Sequence, residues 1–280
     1  MQSVTVPSIC MNSNHDKKRN CQIAFELMSE AVTAGAEWIV LPELFSYHGP
    51  YKDLYANGES LDSQLFEQLS LFAQTNKIVL FGGSVPFIDQ ASESDDGSIR
   101  KVHNAMPVFG RDGQLISLYK KCHLFELKDS DGKSTYSESE GFLAGNQPMT
   151  LEIDGFHIGL SICYDLRFSL FYQRLAVDKP LDVILVPAAF TLKTGMAHWE
   201  LFLRARAVEF QSYVLAANQY GSHGNGKESF GHSMIIDPWG IVQGNTGAKK
   251  GIAWSTVDKE HIHQVRQILP VMTNARPEIY

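Results

Sequence analysis

The chain has 280 residues, 44% of them hydrophobic and 20% charged, with a formal net charge of −7. This acidic balance argues against a nucleic-acid-binding surface, which needs a basic face. No apolar run approaches the roughly 20 residues of a membrane-spanning helix, and the N-terminal MQSVTVPSIC predicts a first strand rather than a secretion signal. We therefore expect a cytoplasmic protein with no nucleic-acid or membrane partner.

Apolar runs alternate with helical periodicity along the first half of the chain. The pattern predicts strands at Val4–Cys10, Glu37–Leu41, Ile78–Pro86, Val102–Phe109 and Gln114–Tyr119, and helices at Asp16–Thr33 and Leu61–Ala73. The polar segment 120–148 predicts a long loop, which in a compact domain is more often functional than idle.

The second half of the chain shows the same alternation of apolar runs and helical periodicity. The pattern predicts strands at Phe156–Ile162, Asp182–Pro187, Tyr213–Asn218, Ser233–Asp237 and Ile252–Val257, and helices at Leu166–Ala176, His198–Gln211 and Lys259–Ile268. Strands that alternate with helices favour a layered α/β fold, while the β-rich middle indicates that the sheets need not be purely parallel. No linker rich in Pro, Gly or Ser divides the chain, so we expect one domain over residues 1–280.

Polar residues follow several of these strands at the point where each apolar run ends. Glu43 follows WIVLP, Lys120 and Lys121 follow ISLY, and Cys163 follows HIGLSI. Ligands of α/β sheets sit outside the carboxyl ends of strands, so an acid, a lysine and a cysteine are candidates to converge there. The carboxylate would accept the proton of the thiol, and the ammonium would stabilise negative charge on a tetrahedral intermediate. Such a trio could open an amide through a thioester.

Each of these residues also has a structural interpretation. Free cysteine is among the most buried residue types, a glutamate after a strand is often a loop residue, and lysines mostly extend to solvent. Cys10 and Cys21 are expected in the core or on a helix face. For Asp165 and Arg167 we expect a structural ion pair or a hydrogen-bonded loop.

Two further motifs suggest other chemistry. GSHGNGKES, from Gly221, nearly matches the phosphate-binding G-x-x-x-x-G-K-[ST], but Glu228 occupies the Ser/Thr position and a strand pattern follows, which excludes a nucleotide site.

Cys122 and His123 suggest a cysteine–histidine enzyme, although neighbours on an extended segment point to opposite sides. His123 could still serve Cys163 from across the fold. No cysteine or histidine spacing is typical of a metal site, so none is expected.

Three motifs, VLPELF, YKKCHLF and CYDLRF, resemble in that order the signature motifs of the nitrilase, or carbon–nitrogen hydrolase, superfamily. The resemblance implies a four-layer αββα sandwich and a catalytic triad. Glu43 would be the base, Lys121 rather than Lys120 the lysine, and Cys163 the nucleophile. In the family the backbone N–H of the next residue, here Tyr164, helps to bind the oxyanion.

A second glutamate often supports the lysine in that family. In SESEGFLAG the best match by distance to Gly145 is Glu138, with Glu140 as the alternative. MAHWELFLRARAVEFQSYVLAANQ, GHSMIIDPWG and LPVMTNARPEIY resemble the branch that contains ω-amidases and deaminated-glutathione amidases. Ser169 stands where the family commonly has proline, and Lys120 replaces an arginine. These departures leave the substrate open but not the reaction type.

Substrates of that branch are small linear monoamides with a carboxylate elsewhere. The resemblance therefore implies hydrolysis of such an amide to acid and ammonia without a cofactor, and a carboxylate-binding cation for which Arg167, Lys193 and His198 are candidates. It also implies a homodimer or higher homo-oligomer, because family members commonly dimerise through helices near Ala197–Gln211. The alternatives are nitrile or N-carbamoyl amide hydrolysis by the same triad, and a non-catalytic binding protein on the same fold.

Overall fold

The computed structural model describes residues 2–92, 100–224, 226–276 and 279, so Asn225 of the glycine-rich motif and parts of the C-terminal motif lie outside it. The helices are α1 (Lys17–Thr33), α2 (Gln64–Asn76), α3 (Ser169–Leu175), α4 (Leu192–Phe210), α5 (Lys259–Ile268) and α6 (Val271–Asn274). The strands are β1 (Ser3–Cys10), β2 (Trp38–Val40), β3 (Val79–Phe81), β4 (Val85–Phe87), β5 (Val102–Phe109), β6 (Leu115–Lys120), β7 (Glu126–Lys128), β8 (Ser134–Ser137), β9 (Phe142–Leu143), β10 (Met149–Ile153), β11 (Phe156–Leu160), β12 (Val183–Leu185), β13 (Tyr213–Ala216), β14 (Tyr220–Gly224), β15 (Lys227–Phe230), β16 (Met234–Ile236), β17 (Val242–Asn245) and β18 (Gly251–Asp258).

Two large sheets organise these strands. The first runs β18-β1-β2-β3-β5-β4, with β6 and β9 also paired to β5, and the second runs β10-β11-β12-β13-β16-β17. Each sheet mixes directions: β1, β2 and β3 are parallel, whereas β18 is antiparallel to β1. The expectation that the sheets are not purely parallel is confirmed. Two hairpins, β7-β8 and β14-β15, lie outside both sheets.

The central strands β2, β3 and β5 of the first sheet are buried at every position, which explains their largely apolar sequence. Ile39 belongs to a core shared with α1 and α2, whereas its neighbours Trp38 and Val40 belong to a core shared with the second sheet, α3 and α4. Successive side chains of a strand point to opposite faces, so the alternation places helices outside and the sheets face to face. The predicted αββα sandwich is confirmed.

Trp38 joins the two sheets. Its indole is fully buried and packs edge-on against Phe81 of the first sheet and Phe156 of the second, with ring centroids 5.5 Å apart in both cases. Its Nε1 donates to Asp154 Oδ2 at 2.8 Å, which satisfies the one polar atom of the indole. The side chain therefore contributes to the spacing between the sheets.

Several predicted boundaries differ from the structure. The single strand predicted at Ile78–Pro86 is two strands, β3 and β4, because Gly83 between them has φ +58°, a conformation that favours glycine. The helix predicted at His198–Gln211 begins six residues earlier, at Leu192. The helix predicted at Leu166–Ala176 is α3, preceded by a separate 3-10 helix at Cys163–Arg167.

The prediction of an irregular loop over 120–148 was wrong. The segment contains the β7-β8 hairpin, a 3-10 helix at Glu138–Glu140, and β9. Glu126 pairs with Ser137 across the hairpin, and Asp129 N donates to the Lys133 carbonyl near its turn at 2.9 Å. These strands are largely polar, so they lack the alternation by which a half-buried strand is recognised.

Replacing Trp38 with alanine is expected to lower the free energy of unfolding by about 3–5 kcal/mol, because it leaves a cavity between the sheets. Urea denaturation followed by circular dichroism measures the change. Trp239, whose side chain is half exposed, is the matched control, and its alanine variant should change stability by less than about 0.5 kcal/mol. Equal losses in the two variants would contradict the packing role of Trp38.

Candidate active site

Three sequence-distant residues converge where their strands end. Glu43 follows β2, Lys121 follows β6 and Cys163 follows β11. All three side chains are buried: Glu43 is 1% exposed, Lys121 0% and Cys163 8%. Lys121 Nζ lies 2.8 Å from Glu43 Oε1, and both Glu43 and Lys121 act electrostatically on the Cys163 thiol. The carboxylate is therefore paired with the ammonium in the neighbourhood of the thiol.

Cys163 has an unusual backbone conformation. Its φ is +46°, in the left-handed region that side-chain-bearing residues adopt only when the surrounding structure imposes it. The Cys163 N–H donates to the Pro187 carbonyl at 2.8 Å, and the chain turns at once into the 3-10 helix. The turn ends the extended segment at Cys163 and places the thiol there.

Glu43 is held by donors from other parts of the fold. Asn104 Nδ2 on β5 donates to Oε1 at 2.8 Å, and the Ala189 backbone N–H donates to Oε2 at 2.7 Å. The carboxylate thus has a fixed orientation with charge-assisted bonds at both oxygens. Asn104 did not emerge from the sequence, although a polar side chain within the apolar run VHNAMPVF is a signal for it.

Lys121 lies between two carboxylates. Its Nζ is 2.8 Å from both oxygens of Glu138 as well as from Glu43. Burial alone would lower the pKa of Lys121, but Glu138 and Glu43 outweigh it and hold that pKa well above its usual value. Glu138 also accepts from the Phe125 N–H at 2.6 Å and is buried, whereas Glu140 is exposed.

The charged groups around the Cys163 thiol carry a net negative charge. Burial raises the pKa of Cys163 well above its usual value, and the nearby Glu43 raises it further, while Lys121 opposes both effects. Two carboxylates face one ammonium around this sulfur, so a thiolate would add a second uncompensated negative charge. The resting cysteine is therefore a neutral thiol near pH 7.

A cavity lies against Cys163, and we call it the inner cavity; its empty space is about 370 Å³, including open solvent. Besides Glu43, Glu138 and Cys163, its walls include His48, Phe125, Tyr136, Tyr164 and Arg167. Most of its wall is apolar or aromatic, which is typical of small-molecule sites. The space suits a small linear molecule that offers one polar end to the sulfur.

The predicted substrate-binding residues occupy different places. The Arg167 guanidinium lines the inner cavity, lies 5.0 Å from the Phe190 ring centroid, and has its Nη1 3.2 Å from His198 Nδ1. His198 thus contacts Arg167 without lining the cavity. Lys193 is exposed and lines a neighbouring, more open depression.

Asp165 organises the turn behind the thiol. Its carboxylate accepts from the Tyr119 hydroxyl at 2.7 Å and from the Ile162 N–H at 2.9 Å. The His123 N–H donates to it at 3.0 Å, and His123 Nδ1 lies 2.7 Å away. The His123 ring also stacks on Phe168 with centroids 3.8 Å apart. Asp165 therefore forms a hydrogen-bonded loop, and His123 belongs to that loop.

Within residues 2–92, 100–224, 226–276 and 279, no three or more His, Cys, Asp or Glu side chains are grouped so that they could hold a metal ion. Nor does any helix within those ranges have the length and apolar character to cross a membrane.

The chain is similar to known proteins over nearly its full length. It is 36% identical over 272 residues to a deaminated glutathione amidase of Synechocystis, covering 96% of this chain and 97% of that protein. It is 35% identical over 282 residues to omega-amidase NIT2 of Homo sapiens, covering 100% of this chain and 98% of that protein.

Solved structures share the fold. The C. elegans NitFhit protein superposes with a TM-score of 0.87 at 31% identity, covering 100% of this chain and 66% of that one. Saccharomyces cerevisiae Nit3, a nitrilase superfamily member, superposes with a TM-score of 0.86 at 27% identity, and the match covers 100% of this chain and 97% of the Nit3 chain. A sequence model of the carbon-nitrogen hydrolase family matches residues 5–267. The chain belongs to the carbon-nitrogen hydrolase family.

Proposed function

We propose that this protein is an amidase that hydrolyses the carboxamide of a small linear monoamide to an acid and ammonia. The observation that carries the proposal is the buried contact of Lys121 with Glu43 beside the Cys163 thiol, at the wall of the inner cavity. The relatives named deaminated glutathione amidase and omega-amidase support the same reaction class. Glu43, Lys121 and Cys163 are the proposed catalytic residues.

The first half-reaction forms a thioester. Glu43 accepts the thiol proton as the sulfur of Cys163 attacks the amide carbon, and the carbonyl oxygen becomes an oxyanion. The Lys121 ammonium and the Tyr164 backbone N–H stabilise this oxyanion. Tyr164 is the second residue of a 3-10 helix, where backbone N–H groups lack helical acceptors. Glu43 then passes its proton to the leaving nitrogen, the C–N bond breaks, and ammonia departs.

The second half-reaction hydrolyses the thioester. Glu43 takes a proton from water, and the hydroxyl oxygen attacks the thioester carbon to form a second tetrahedral intermediate. The C–S bond breaks, the acid product forms, and the proton returns from Glu43 to the sulfur of Cys163. Glu138 acts through Lys121, since its carboxylate keeps that ammonium charged and in place.

Substrate orientation is proposed to depend on Arg167. Its guanidinium lines the inner cavity, where it could pair with a carboxylate at the far end of a short monoamide. His198, 3.2 Å from the guanidinium, positions it. Lys193 lies farther out and would act only on longer substrates.

We also propose that the chain is one hydrolase domain that pairs with a second copy. Leu170 on α3 and Met196 and Leu201 on α4 are apolar and more than 60% exposed, and we propose that the second copy covers them. The four cysteines are free, which supports a reducing compartment such as the cytoplasm.

Replacing Cys163 with alanine is expected to abolish ammonia release from α-ketoglutaramate and other linear monoamides, because no thioester can form. Ammonia detection across a panel of monoamides, nitriles and N-carbamoyl compounds measures the activity, and thermal unfolding checks that the variant folds. Cys122→Ala is the matched control and should keep most of the activity. Full activity of the Cys163 variant would refute the mechanism, and wild-type activity on nitriles alone would refute the substrate class.

Replacing Glu138 with glutamine is expected to lower kcat by about 100-fold, because Lys121 loses one of its two carboxylates. Losing a negative neighbour also lowers the pKa of Lys121, so the alkaline limb of the kcat/KM profile should move to lower pH. Glu140→Gln, whose side chain is exposed, is the matched control and should change neither quantity appreciably. Equal effects of the two substitutions would contradict the assignment of Glu138.

The raised pKa of Cys163 predicts that its sulfur stays protonated between pH 6 and about pH 8.5. A raised pKa means that the neutral thiol persists to higher pH than for an ordinary cysteine, whose pKa is about 8.5. The difference in absorbance at 240 nm between wild type and Cys163→Ala, followed against pH, reports the thiolate. A full thiolate signal at pH 7 would show that Lys121 outweighs the two carboxylates.

A further inference from the structure

His48 is a buried polar side chain on the wall of the inner cavity. It belongs to the segment that follows β2, and it lines the cavity together with Glu43 and Cys163. The residue is only 5% exposed. No side chain of the residues that the structure describes hydrogen-bonds to the His48 ring. The steps proposed above give His48 no role.

The neighbours of His48 fix its orientation. Its backbone N–H donates to the Asn14 carbonyl at 3.0 Å, and its ring stacks on that of His223 with centroids 4.0 Å apart. His223 is held at both ring nitrogens, because Nδ1 lies 2.7 Å from the Ser13 carbonyl and Nε2 lies 2.8 Å from the Ser229 hydroxyl. A carbonyl oxygen only accepts hydrogen bonds, so in the neutral ring Nδ1 donates and Nε2 accepts. The two stacked rings therefore have a fixed place beside the cavity.

A buried amide connects these stacked rings to Glu43. Gln219 Nε2 donates to the Glu43 carbonyl at 3.0 Å and to Ser13 Oγ at 2.9 Å. Gln219 Oε1 accepts from the Ser13 N–H at 2.9 Å, and the Ser13 carbonyl accepts from His223. Gln219 and Ser13 have no solvent exposure. The backbone of the proposed base and the ring of His48 are therefore held by one hydrogen-bonded network.

The imidazole of His48 is neutral near pH 7. Burial lowers the pKa of His48 well below its usual value, and the neighbouring His223 and Lys227 lower it further. A neutral imidazole has one nitrogen with a free lone pair and one nitrogen that carries a proton. His48 therefore brings an uncharged hydrogen-bond acceptor to the cavity wall.

The two carboxylates on the same wall already have partners. Glu43 accepts from Lys121 and Asn104 at Oε1, and from a backbone N–H at Oε2. Glu138 accepts from Lys121 at both of its oxygens. When Glu43 takes one proton from the water of the second half-reaction, the other O–H of that water also needs an acceptor, since a buried donor without a partner is costly. The ring of His48 can supply that acceptor.

We propose that His48 binds the water that hydrolyses the thioester, and that it accepts a hydrogen bond from the O–H that Glu43 does not deprotonate. The inference rests on the proposed amidase function and goes beyond it by assigning a residue to the second half-reaction. Glu43 takes one proton, the water oxygen attacks the thioester carbon, and the C–S bond of Cys163 then breaks. The other proton stays on the new hydroxyl of the acid, so His48 gains and loses none. Water takes no part in the first half-reaction, which therefore does not depend on His48.

Replacing His48 with phenylalanine removes both ring nitrogens and keeps a ring that can stack. The acyl-enzyme formed from a linear monoamide is expected to decay about 10–100-fold more slowly, because its attacking water loses an acceptor. Intact-protein mass spectrometry after rapid quenching measures this decay, and thermal unfolding checks the fold. The ratio kcat/KM reports only the steps up to ammonia release, so it should stay within about twofold of wild type while kcat and KM fall together. A loss of kcat/KM with unchanged acyl-enzyme decay would show a merely structural role and overturn the proposal.

His157→Phe is the matched control. His157 lies on β11 and is 6% exposed, so it is as buried as His48, but it lines neither the inner cavity nor the neighbouring depression. Its acyl-enzyme should decay at the wild-type rate, and a slowing equal to that of His48→Phe would overturn the proposal. Decay at the wild-type rate in His48→Phe would overturn this inference alone. Wild type that releases no ammonia from linear monoamides would overturn the proposed function.

Two amide variants cover the case in which His48→Phe does not fold. The side-chain oxygen of asparagine stands near the position of a histidine Nδ1, and that of glutamine stands near Nε2, so each variant restores an acceptor at one of the two places. One of His48→Asn and His48→Gln is expected to keep the acyl-enzyme decay within about threefold of wild type, whereas the other is slowed about tenfold or more. Equal decay rates in the two variants would overturn the proposal.

Discussion

The structure depends on one buried cation. Lys121 has no solvent exposure, and an ammonium without water is tolerated only when carboxylates surround it. Glu43 and Glu138 meet that requirement, and they come from segments 95 residues apart in sequence (43 against 138). The end of β2, the end of β6 and the short helix at Glu138–Glu140 must therefore meet before the cation is compensated. The same requirement that ties these segments together also assembles the proposed catalytic site.

The surrounding fold fixes the direction of each group that this cation organises. Glu43 accepts bonds from Asn104 on β5 and from the backbone of Ala189, so its carboxylate cannot rotate freely. Cys163 occupies a left-handed conformation at the entrance to a 3-10 helix, which a flexible loop would not maintain. The rigid sheets impose this geometry, so the proposed proton transfer between sulfur and carboxylate would need no search for the right orientation.

Local patterns predicted a layered α/β fold, because strands buried on both faces are continuously apolar and the flanking helices have one apolar face, whereas the αββα order of the layers was predicted from the resemblance to the family. The order of Glu43, Lys121 and Cys163, together with their motifs, allowed the candidate triad to be named, and the structure brings these three side chains together. The hairpin within 120–148 was missed because its strands are polar. Asn104 and His48 were missed because their roles arise from tertiary contacts between strands that are distant in sequence. The apolar run VHNAMPVF marks Asn104 as a buried polar residue, but it does not indicate that Glu43 is its partner.

The excess of one carboxylate around the sulfur also bears on how the reaction ends. A carboxamide is neutral, so it approaches Glu43 and Glu138 without electrostatic cost. In the proposed reaction, the acid formed from it is an anion at the same place, beside one ammonium that two carboxylates already occupy. Like charges at such short range repel strongly in a site with little water. The arrangement therefore weakens the binding of the product and favours its release, while the equilibrium between amide and acid is unchanged.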